Sequence, residues 1–510
     1  MKSRSEMKIV TLDELEKIVQ NLKKSGRKIV HCHGVFDLLH PGHILHFEAA
    51  KREGDVLIVT LTKDEFVGKG PGRPVFNQRL RAESIASLGC VDYVAVNEWP
   101  TAIQTIKKLR PDVYSKGSDY ENPSDDLTGK IRDEEDAVES GGGRIHFTHE
   151  ISFSSTEILN RHYMVYPDQA QVFLEEFRKK HGVPEVIKAL KGLSDLKVLV
   201  IGDAIIDEYH FCAPMGKSPK ESIVASKYLR EEAFAGGILA CANHVAGFSG
   251  SVDLVTCLGR KDSREDFILD RLKPHIQSKF FFRDDAPTVV KRRYVWDPFL
   301  VKLFEVVFLD DRPIPAALER QVIDFLNKNI RKYDLVIVAD YGHGFMTPNL
   351  VDFLCRKAKF LAVNTQTNSA NTGYNTINKY PRADYVCIDE PEMRLAHQDK
   401  FGKLEDLIQK TARKLRSSTV TVTRGHLGGL TYSAGKGFFQ TPIFSKEIVD
   451  RVGAGDAYLA VTAPCVARKV PTDLLGFIGN AVGALAVRIV GNRSPVEPVP
   501  LYKFITALLK

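Results

Sequence analysis

Two blocks of this chain alternate short apolar strands with helical segments, and this alternation restricts the fold more than any other feature of the sequence. The first block contains the strand-like runs KIVHCHG, DVLIVTLT, VDYVAV and DVYSKG. The second block contains LKVLVIGD, DLVTCLG, DLVIVAD, KFLAVNT, DYVCID and TVTVTRG. Strands and helices that alternate over short connections form parallel sheets wound by helices. The sequence therefore predicts an α/β protein with two doubly wound parallel-sheet domains.

The length of the chain also requires more than one domain, because 510 residues exceed what a single hydrophobic core accommodates. We predict a first domain over residues 1–162, a helical linker over 163–195 and a second domain over 196–510. The linker prediction rests on the segments QVFLEEFRKKHG and PEVIKALKGLSDL, which have helical spacing. Between Phe211 and Val301 the second block is richer in β-type segments, which predicts a small strand lid added to its sheet.

The composition excludes several classes of protein. The 8 cysteines are scattered without a CxxC pair, which argues against a disulfide scaffold or a zinc ribbon and favours a reduced cytosol. The formal charge of +7 is small for this length, and no dense basic run with interleaved aromatics occurs, so we expect no nucleic-acid partner. The N-terminal segment lacks the apolar stretch of a signal peptide, and no apolar run reaches membrane-spanning length. We therefore expect a cytoplasmic protein without a membrane partner.

The stretch GVFDLLHPGH places two histidines, His40 and His43, where the first strand passes into a helix. The N-terminus of a helix attracts phosphate through its unpaired backbone N–H groups and its partial positive charge. With Gly42 keeping the backbone close, both imidazoles can donate to an α-phosphate while pyrophosphate leaves. Taken alone, HxxH is as consistent with helix-capping or metal-binding histidines.

The pieces around this motif resemble the nucleotidylyltransferase superfamily, in its cytidylyltransferase-like branch. Besides the HxGH signature, the resemblance rests on KGPGRP, QRLRAE, PDVYSKGSDY and SFSSTEIL, in this order, and covers most of residues 28–160. It implies a Rossmann-like fold and catalytic roles for His40, His43 and Lys69, with Lys69 meeting the triphosphate. The loop of Lys69 is about two residues shorter than in the heptose enzymes of this branch. The resemblance also implies a nucleotide site made of Gly34, Phe36, Asp37, Gly42, Arg79, Lys116, Asp119, Ser154, Ser155 and Thr156.

A second stretch with chemistry is IVDRVGAGDAYLA, in which Gly453, Ala454 and Gly455 open a helix. Their N–H groups can cradle the charge that develops on a transferring phosphoryl group. Asp456 follows at the helix start, where it can accept the proton of an attacking hydroxyl. A lone GxGD is weak evidence, because glycine turns before helices are common.

Further pieces of the second block resemble the ribokinase-type (pfkB) sugar kinases over about residues 195–505. They are GDAIIDEY, AGGILACANH, VIVADYGHG, VTRGHLGG and IGNAVGALAV. The resemblance implies Asp456 as catalytic base, ATP as substrate and Mg²⁺ organised by Glu392. It also implies a nucleotide site made of Asn364, Thr423, Gly425, Gly428, Gly453, Ala454, Gly455 and Asn480. The implied substrate site consists of Asp203, Asp207, Gly236, Gly237, Asn243, Lys291 and Asp340.

Three positions depart from the kinase pattern. Ala240 stands where the family carries an Asn, and Asn243 is nearby but offset. The NxxE element keeps Glu392 but has Asp389 in place of Asn, and Asn364 replaces an Asp at a strand end. The base and the anion-binding turn match, whereas the wall that contacts the sugar does not.

The whole chain resembles the bifunctional heptose-7-phosphate kinases/heptose-1-phosphate adenylyltransferases of ADP-heptose biosynthesis, with the order of the two domains reversed. This resemblance implies phosphorylation of a sugar or sugar phosphate, nucleotidylyl transfer from ATP or CTP to a sugar 1-phosphate, and a homodimer joined through the lid. One alternative is a CTP-dependent enzyme for a glycerol or pentitol phosphate. Another is a kinase-like half that acts as a ligand-binding or oligomerising module.

Overall fold

The computed structural model describes residues 5–118, 121, 130–149, 166–297 and 299–510, and it divides into two compact units. The first unit consists of Met1–Tyr166 together with Tyr502–Lys510, and the second of Pro167–Leu501. Both units are built on a largely parallel sheet, which confirms the predicted α/β fold class. None of the described helices combines the length and the apolar character needed to cross a bilayer.

The first unit contains a five-stranded parallel sheet in the order β3-β2-β1-β4-β5. The central strand, β1, pairs with β2 and β4 on its two sides, so that Cys32 lies opposite Val59 and Ser115. The strands are β1 (Ile29–Gly34), β2 (Val56–Thr62), β3 (Tyr93–Asn97), β4 (Val113–Gly117) and β5 (Arg144–Thr148). The helices are α1 (Leu12–Lys24), α2 (Pro41–Arg52), α3 (Gln78–Ala86), α4 (Ile103–Leu109) and α5 (Ile131–Glu139).

Local sequence explains where the helices of this unit begin. Helix α1 starts with a capping box, because the Thr11 hydroxyl accepts from the Glu14 N–H while the Glu14 carboxylate accepts from the Thr11 N–H. Helix α2 starts at Pro41, whose missing N–H and fixed φ suit the first helical position. The strand β2 is buried along its whole length, as expected for an inner strand of a parallel sheet.

The second unit contains a nine-stranded sheet in the order β10-β9-β6-β13-β14-β15-β16-β17-β18, in which only the last two pairings are antiparallel. Its strands are β6 (Lys197–Gly202), β9 (Ser251–Gly259), β10 (Ile276–Arg283), β13 (Leu335–Asp340), β14 (Leu361–Thr365), β15 (Tyr385–Asp389), β16 (Thr419–Thr423), β17 (Gly429–Ser433) and β18 (Gly437–Thr441).

A separate four-stranded sheet in the order β12-β11-β7-β8 confirms the predicted lid. Its strands are β7 (Ala204–Lys217), β8 (Val224–Gly237), β11 (Val289–Trp296) and β12 (Val301–Phe308). We refer to these four strands as the lid sheet. Strand β7 follows β6 after a single residue, Asp203. The lid sheet therefore begins at the carboxyl end of a central strand of the nine-stranded sheet.

Helices follow most strands of the second unit. The segments predicted as a linker form two helices that belong to this unit in the structural division, and the Phe177 ring stacks on Phe477 at 4.4 Å between centroids. The helices are α6 (Asp168–Arg178), α7 (Val183–Lys191), α8 (Ile238–Val245), α9 (Glu265–Arg271), α10 (Ala316–Asn329), α11 (Pro348–Lys357), α12 (Glu390–His397), α13 (Leu404–Leu415), α14 (Ala454–Ala467) and α15 (Thr472–Ala486). A last helix, α16 (Pro498–Leu509), contributes its residues from Tyr502 onward to the first unit.

Candidate active sites

The two motif histidines of the first unit lie at the start of helix α2. His40 occupies the N-cap position in an extended conformation, and its side chain makes no capping hydrogen bond. The imidazole rings of His40 and His43 are stacked, with 3.8 Å between centroids and 22° between planes. The two rings thus form one paired surface at the helix N-terminus, in the position where the sequence predicts an α-phosphate site.

Phe36 holds this pair from the side. Its backbone has φ +49°, an unusual conformation for a bulky residue, and its ring meets His43 edge-on at 5.2 Å between centroids. The same ring packs on Phe47 of helix α2 at 5.0 Å. A Cβ atom on Gly34 would lie 2.8 Å from the Phe36 ring, so a larger residue there would displace the ring. Gly34 and Phe36 therefore act on His43 through packing. Gly42 is the second residue of the helix.

The charges near the histidine pair favour neutral imidazoles beside a cation. Burial lowers the pKa of His43 to about 3, and the neighbouring His40, His46 and Lys69 add to this effect. Burial and the charge of Lys69 also lower the pKa of His40. Burial lowers the pKa of Lys69 itself to about 8. The predicted triphosphate lysine thus lies close enough to act on both histidines.

The loop that carries Lys69 is held at both ends. Gly70 has φ +93°, and a Cβ atom there would lie 1.9 Å from the Phe504 ring of the same unit. Downstream, the buried Asp37 carboxylate pairs with Arg73 at 3.2 Å and accepts from the Val75 N–H at 2.7 Å. Asp37, predicted as a nucleotide ligand, therefore anchors this loop.

Arg81 is a residue of this site that the sequence interpretation missed. Its guanidinium is fully buried and donates to the carbonyl oxygens of Val35, Phe76 and Thr62 and to the Asp64 carboxylate. It thereby ties the motif loop after β1 to the end of β2. A charged residue on the face of a helix directed at the sheet was the available signal. The predicted Arg79 is 83% exposed and pairs with Glu83 at 2.8 Å.

Lys116, at the end of β4, pairs with the Glu134 carboxylate at 2.9 Å. Burial and the positive charge of Lys116 lower the pKa of His46 to about 4. His31 and His33 both lie within hydrogen-bond distance of the Thr60 hydroxyl, at 2.7 and 2.9 Å, so their side chains lie on one face of β1. Among the described residues, no cluster of three or more acidic, His or Cys side chains suits a metal ion. The predicted ligands Asp119, Ser154, Ser155 and Thr156 lie outside the described residues.

The predicted base of the second unit, Asp456, is buried in the first turn of helix α14. Its Oδ1 accepts hydrogen bonds from the Tyr341 hydroxyl at 2.5 Å and the Gln366 amide at 2.8 Å. Burial and, to a smaller extent, the charge of Asp207 raise the pKa of Asp456 to about 6, although both hydrogen bonds act to lower it. The carboxylate is therefore ionised at neutral pH and has a basicity suited to accepting a proton.

The turn before this helix has a conformation that requires glycine. Gly453 is the N-cap residue with φ +81°, and a Cβ atom there would lie 2.1 Å from the Asn492 side-chain oxygen. Ala454 and Gly455 are the first two residues of the helix. Asn492, which sequence reasoning missed, also donates to the Asp207 carboxylate at 3.3 Å and so connects this turn with the predicted substrate wall.

Two of the predicted substrate residues, Asp207 and Gly236, lie next to each other, whereas Asp203 binds backbone groups. Asp207 pairs with Arg293, and a Cβ atom on Gly236 would lie 2.0 Å from the Asp207 carboxylate. Asp203 instead accepts from the backbone N–H groups of Tyr341, His343 and Phe345, and thereby fixes the loop after β13. Gly237 has φ +57° and packs against the Asp203 carbonyl.

Asp340 and Asn243 both hydrogen-bond to other parts of the fold. Asp340 is fully buried, pairs with Lys379 at 2.5 Å and accepts from the Tyr380 hydroxyl at 2.6 Å. Asn243 accepts from the Lys273 N–H at 2.9 Å and donates to the Arg271 carbonyl at 2.9 Å. Their partners are distant in the sequence, so a short motif does not reveal them, and the predicted substrate role of both side chains stays a prediction.

A cavity of about 330 Å³ is lined in part by Asn492, the residue that donates to Asp207. Its lining includes Phe234, Ala240, Asn243, Arg271 and Asn492. The methyl group of Ala240 stands at the position where the sequence pattern predicted an Asn, so the cavity has a wall unlike the one that the motif implies.

The predicted nucleotide residues lie at the ends of β14 and β16 and on helix α15. The Asn364 amide donates to the Cys387 carbonyl at 2.8 Å. The turn after Thr423 closes through the Arg424 N–H and the Gly428 carbonyl, and it contains Gly425 with φ +55°. Gly428 has φ +84°, and a Cβ atom there would lie 2.0 Å from the Thr441 carbonyl. The Asn480 amide donates to the Gly476 carbonyl within helix α15.

Glu392 and Asp389 form the capping box of helix α12. The Glu392 carboxylate accepts from the Thr367 N–H at 2.9 Å and the Asp389 N–H at 3.0 Å. Burial and the charge of Asp389 raise the pKa of Glu392 to about 8. Mg²⁺ is commonly held by one or two carboxylates together with substrate phosphates and water. These two carboxylates fit that requirement.

Tyr341, Gln366 and His343 are further residues of this site that sequence reasoning missed. Tyr341 and Gln366 both donate hydrogen bonds to the Asp456 carboxylate. The signal for His343 was present, because this histidine stands in the quoted segment VIVADYGHG, three residues after the predicted Asp340.

Comparison with known families assigns the class of each half. Residues 31–161 match the family model described as cytidylyltransferase-like, and residues 304–498 match the model of the pfkB family carbohydrate kinases. These matches confirm both resemblances predicted from the motifs and confirm their order along the chain. The chain thus has a segment similar to the cytidylyltransferase-like family followed by a segment similar to the pfkB family carbohydrate kinases.

The curated relatives carry the name bifunctional protein HldE. The protein of Geobacter metallireducens is 38% identical over 170 residues, 33% of this chain and 33% of that protein. That of Aliarcobacter butzleri is 45% identical over 136 residues, 26% of this chain and 28% of that protein. That of Helicobacter pylori is 48% identical over 110 residues, 21% and 24% respectively. The chain therefore spans about a third or less of the length of these relatives.

Among solved structures, the chain is similar to ribokinases and to a phosphofructokinase. Thermotoga maritima ribokinase is 19% identical with a TM-score of 0.49, and the match covers 61% of this chain and 99% of that one. For Escherichia coli phosphofructokinase-2 in complex with fructose-6-phosphate the identity is 12%, the TM-score 0.49 and the coverage 62% and 100%.

Proposed function

We propose that the chain is a bifunctional enzyme that phosphorylates a sugar or sugar phosphate in one unit and forms a nucleotide sugar in the other. The observation that carries this proposal is that each unit presents its reactive side chains at the N-terminus of a helix, next to glycine-containing turns. The stacked His40 and His43 supply two neutral N–H donors, and Asp456 supplies a buried base of raised pKa. Two different phosphorus chemistries require these two kinds of group.

In the kinase unit, the oxygen of the acceptor hydroxyl attacks the γ-phosphorus of ATP, and ADP leaves. Asp456 accepts the proton of that hydroxyl. The backbone N–H groups of Gly453–Gly455 point to the charge that develops on the transferring group. Tyr341 and Gln366 keep the Asp456 carboxylate oriented through their hydrogen bonds. Glu392 and Asp389 would hold Mg²⁺, which neutralises phosphate charge when bound.

In the transferase unit, a phosphate oxygen of a sugar 1-phosphate attacks the α-phosphorus of a nucleoside triphosphate, and pyrophosphate leaves. His40 and His43 donate N–H groups to the α-phosphate oxygens, and the Lys69 cation stabilises the leaving pyrophosphate. Because the pKa of each histidine is lowered, both imidazoles are neutral and act as hydrogen-bond donors rather than as general acids. Heptose and ATP are the favoured substrates, because the relatives at 36–48% identity share the name HldE.

A product assay by mass spectrometry tests both halves. Purified protein receives heptose 7-phosphate, and separately heptose 1-phosphate, with ATP or CTP and Mg²⁺. The expected products are a heptose bisphosphate from the first substrate and an ADP-heptose with pyrophosphate from the second. A CDP-linked product would shift the assignment to the CTP-dependent alternative. A nucleotide sugar without any bisphosphate would leave the kinase unit as a ligand-binding module.

A further inference from the structure

The Tyr341 ring is the centre of a group of side chains beside the catalytic base. Its hydroxyl donates to Asp456 at 2.5 Å. The His343 ring lies nearly parallel to it, at 6.4 Å between centroids and 9° between planes. The Lys291 ammonium, on strand β11 of the lid sheet, lies 5.8 Å from the centroid of the same ring. An imidazole and an ammonium are therefore placed around the ring that contacts the base.

His343 is only 4% exposed, and neither ring nitrogen has a hydrogen-bond partner within the part of the chain that the structure describes. Buried polar groups in folded proteins are nearly always hydrogen-bonded. The backbone of His343 is fixed, because its N–H donates to Asp203 at 3.4 Å. The imidazole is thus held in place while its own hydrogen-bonding capacity is left to a molecule other than the chain itself.

The charges of Asp311 and Asp340 both act on His343. Among the carboxylates around the site, Asp203, Asp340 and Asp207 are engaged by other donors. Asp203 accepts from three backbone N–H groups of the loop after β13. Asp340 binds Lys379 and the Tyr380 hydroxyl. Asp207 binds Arg293 and the Asn492 amide. These carboxylates are therefore already compensated by other donors.

Lys291 completes the donor set. Its positive charge acts on both Asp456 and His343, so the ammonium lies near both groups. Burial lowers the pKa of the Lys291 ammonium, so an anion arriving beside it would favour the charged form. An ammonium and an imidazole N–H together are donors typical of a phosphoryl site.

We propose that His343 and Lys291 form a subsite for a phosphoryl group beside Asp456. This inference rests on the proposed kinase function and names a feature of its substrate. The ligand is a phosphate dianion, which is either the phosphate of a phosphorylated acceptor or the γ-phosphate of ATP. In both cases the site selects for phosphate oxygens next to the reacting hydroxyl.

The first test measures binding without turnover, so that it is independent of kinase activity. Inorganic phosphate is titrated into the full-length protein, and the imidazole signals are followed by NMR with calorimetry in parallel. We expect the His343 signals to shift on titration, and His343→Asn or Lys291→Met to weaken phosphate binding at least tenfold. His149→Asn and Lys400→Met, at exposed positions, are matched controls expected to bind as the unchanged protein does. Phosphate binding that neither active-site variant weakens would overturn the proposal.

The second test identifies the source of the phosphate. If the acceptor supplies it, His343→Asn raises the KM for a sugar phosphate at least tenfold, and leaves kcat/KM for the corresponding unphosphorylated sugar within twofold. If ATP supplies it, the same variant raises the KM for ATP or lowers kcat equally with both acceptors. Either result supports the subsite. Full kinase activity of both variants with all substrates would contradict it. A protein without kinase activity whose phosphate binding depends on both side chains would refute the proposed function and keep the subsite.

Discussion

At the scale of single residues, the proposed kinase reaction requires Asp456 as its base. General base catalysis typically contributes about 10²- to 10⁴-fold. We therefore expect Asp456→Asn to lower the kinase kcat by about that factor, while the transferase activity of the same protein stays unchanged as an internal control. A variant that keeps kinase activity within tenfold of the unchanged protein would exclude Asp456 as the base.

The raised pKa of Asp456 also predicts a pH dependence. Because the carboxylate must be ionised to accept a proton, and its pKa is about 6, the kinase kcat/KM should fall about tenfold per pH unit below pH 6. The measurement is a pH–rate profile between pH 4.5 and 8. An activity that stays level down to pH 4.5 would contradict this assignment.

In the transferase unit, the pKa of Lys69 predicts a loss of activity at alkaline pH. Burial lowers the pKa of Lys69 to about 8, so the side chain is fully charged well below that pH and loses its charge as the pH rises through it. The transferase kcat/KM should therefore decrease above pH 8. Lys69→Arg should remove this decrease, because arginine stays charged. If the arginine variant shows the same alkaline limb, another group is responsible.

Motifs identified the chemical type of these side chains but not what they bind. Asp456 and His43 lie in their predicted places at helix N-termini, since the signal for both is local. The carboxylate of Asp203 and the amide of Asn243 instead bind backbone groups that are 138 to 142 and 28 to 30 positions away in the sequence. Such distant partners leave no trace in a short motif.

At the scale of elements, the start of helix α14 predicts an effect of glycine replacement. Gly453→Ala puts an alanine in the left-handed backbone region, and its Cβ atom would clash with Asn492. We expect a loss of about 1–3 kcal/mol in the free energy of unfolding and a strong loss of kinase activity. Chemical denaturation and the kinase assay measure the two effects.

The matched control for this replacement is Gly435→Ala. Gly435 has φ +78° and no atom within 4 Å of a built Cβ, so the variant shares the backbone strain without the clash. It should lose some stability but keep kinase activity. Equal behaviour of the two variants would show that the contact with Asn492 is unimportant.

The alternation of strands and helices predicted the order of elements and the lid, because period and turn residues are local properties. The strand order within each sheet was not predictable in the same way. That β1 lies between β2 and β4, and β6 between β9 and β13, depends on which crossovers bury the apolar faces together. The burial of Arg81 follows from the same packing.

At the scale of the whole molecule, the lid sheet predicts self-association. Its edge strand β12 exposes apolar side chains, with Phe304 55% and Phe308 42% accessible. Contiguous exposed apolar surface commonly marks an interaction site. We expect a homodimer in solution, and Phe304→Asp should convert it to a monomer. Size-exclusion chromatography with light scattering measures the mass, and Phe401→Asp, an exposed position outside the lid, is the control. A monomeric unchanged protein would refute the dimer.

The first unit is assembled from two stretches of the chain that are far apart in sequence, Met1–Tyr166 and Tyr502–Lys510. The ring of Phe504, from the second stretch, occupies the space above Gly70, next to Lys69. The first unit therefore cannot be exchanged as one continuous segment of the gene. A gene rearrangement that cut this chain once near residue 166 would separate the loop of Lys69 from the Phe504 ring that covers it. Recombination between fused enzymes of opposite domain order would have to keep Met1–Tyr166 and Tyr502–Lys510 together.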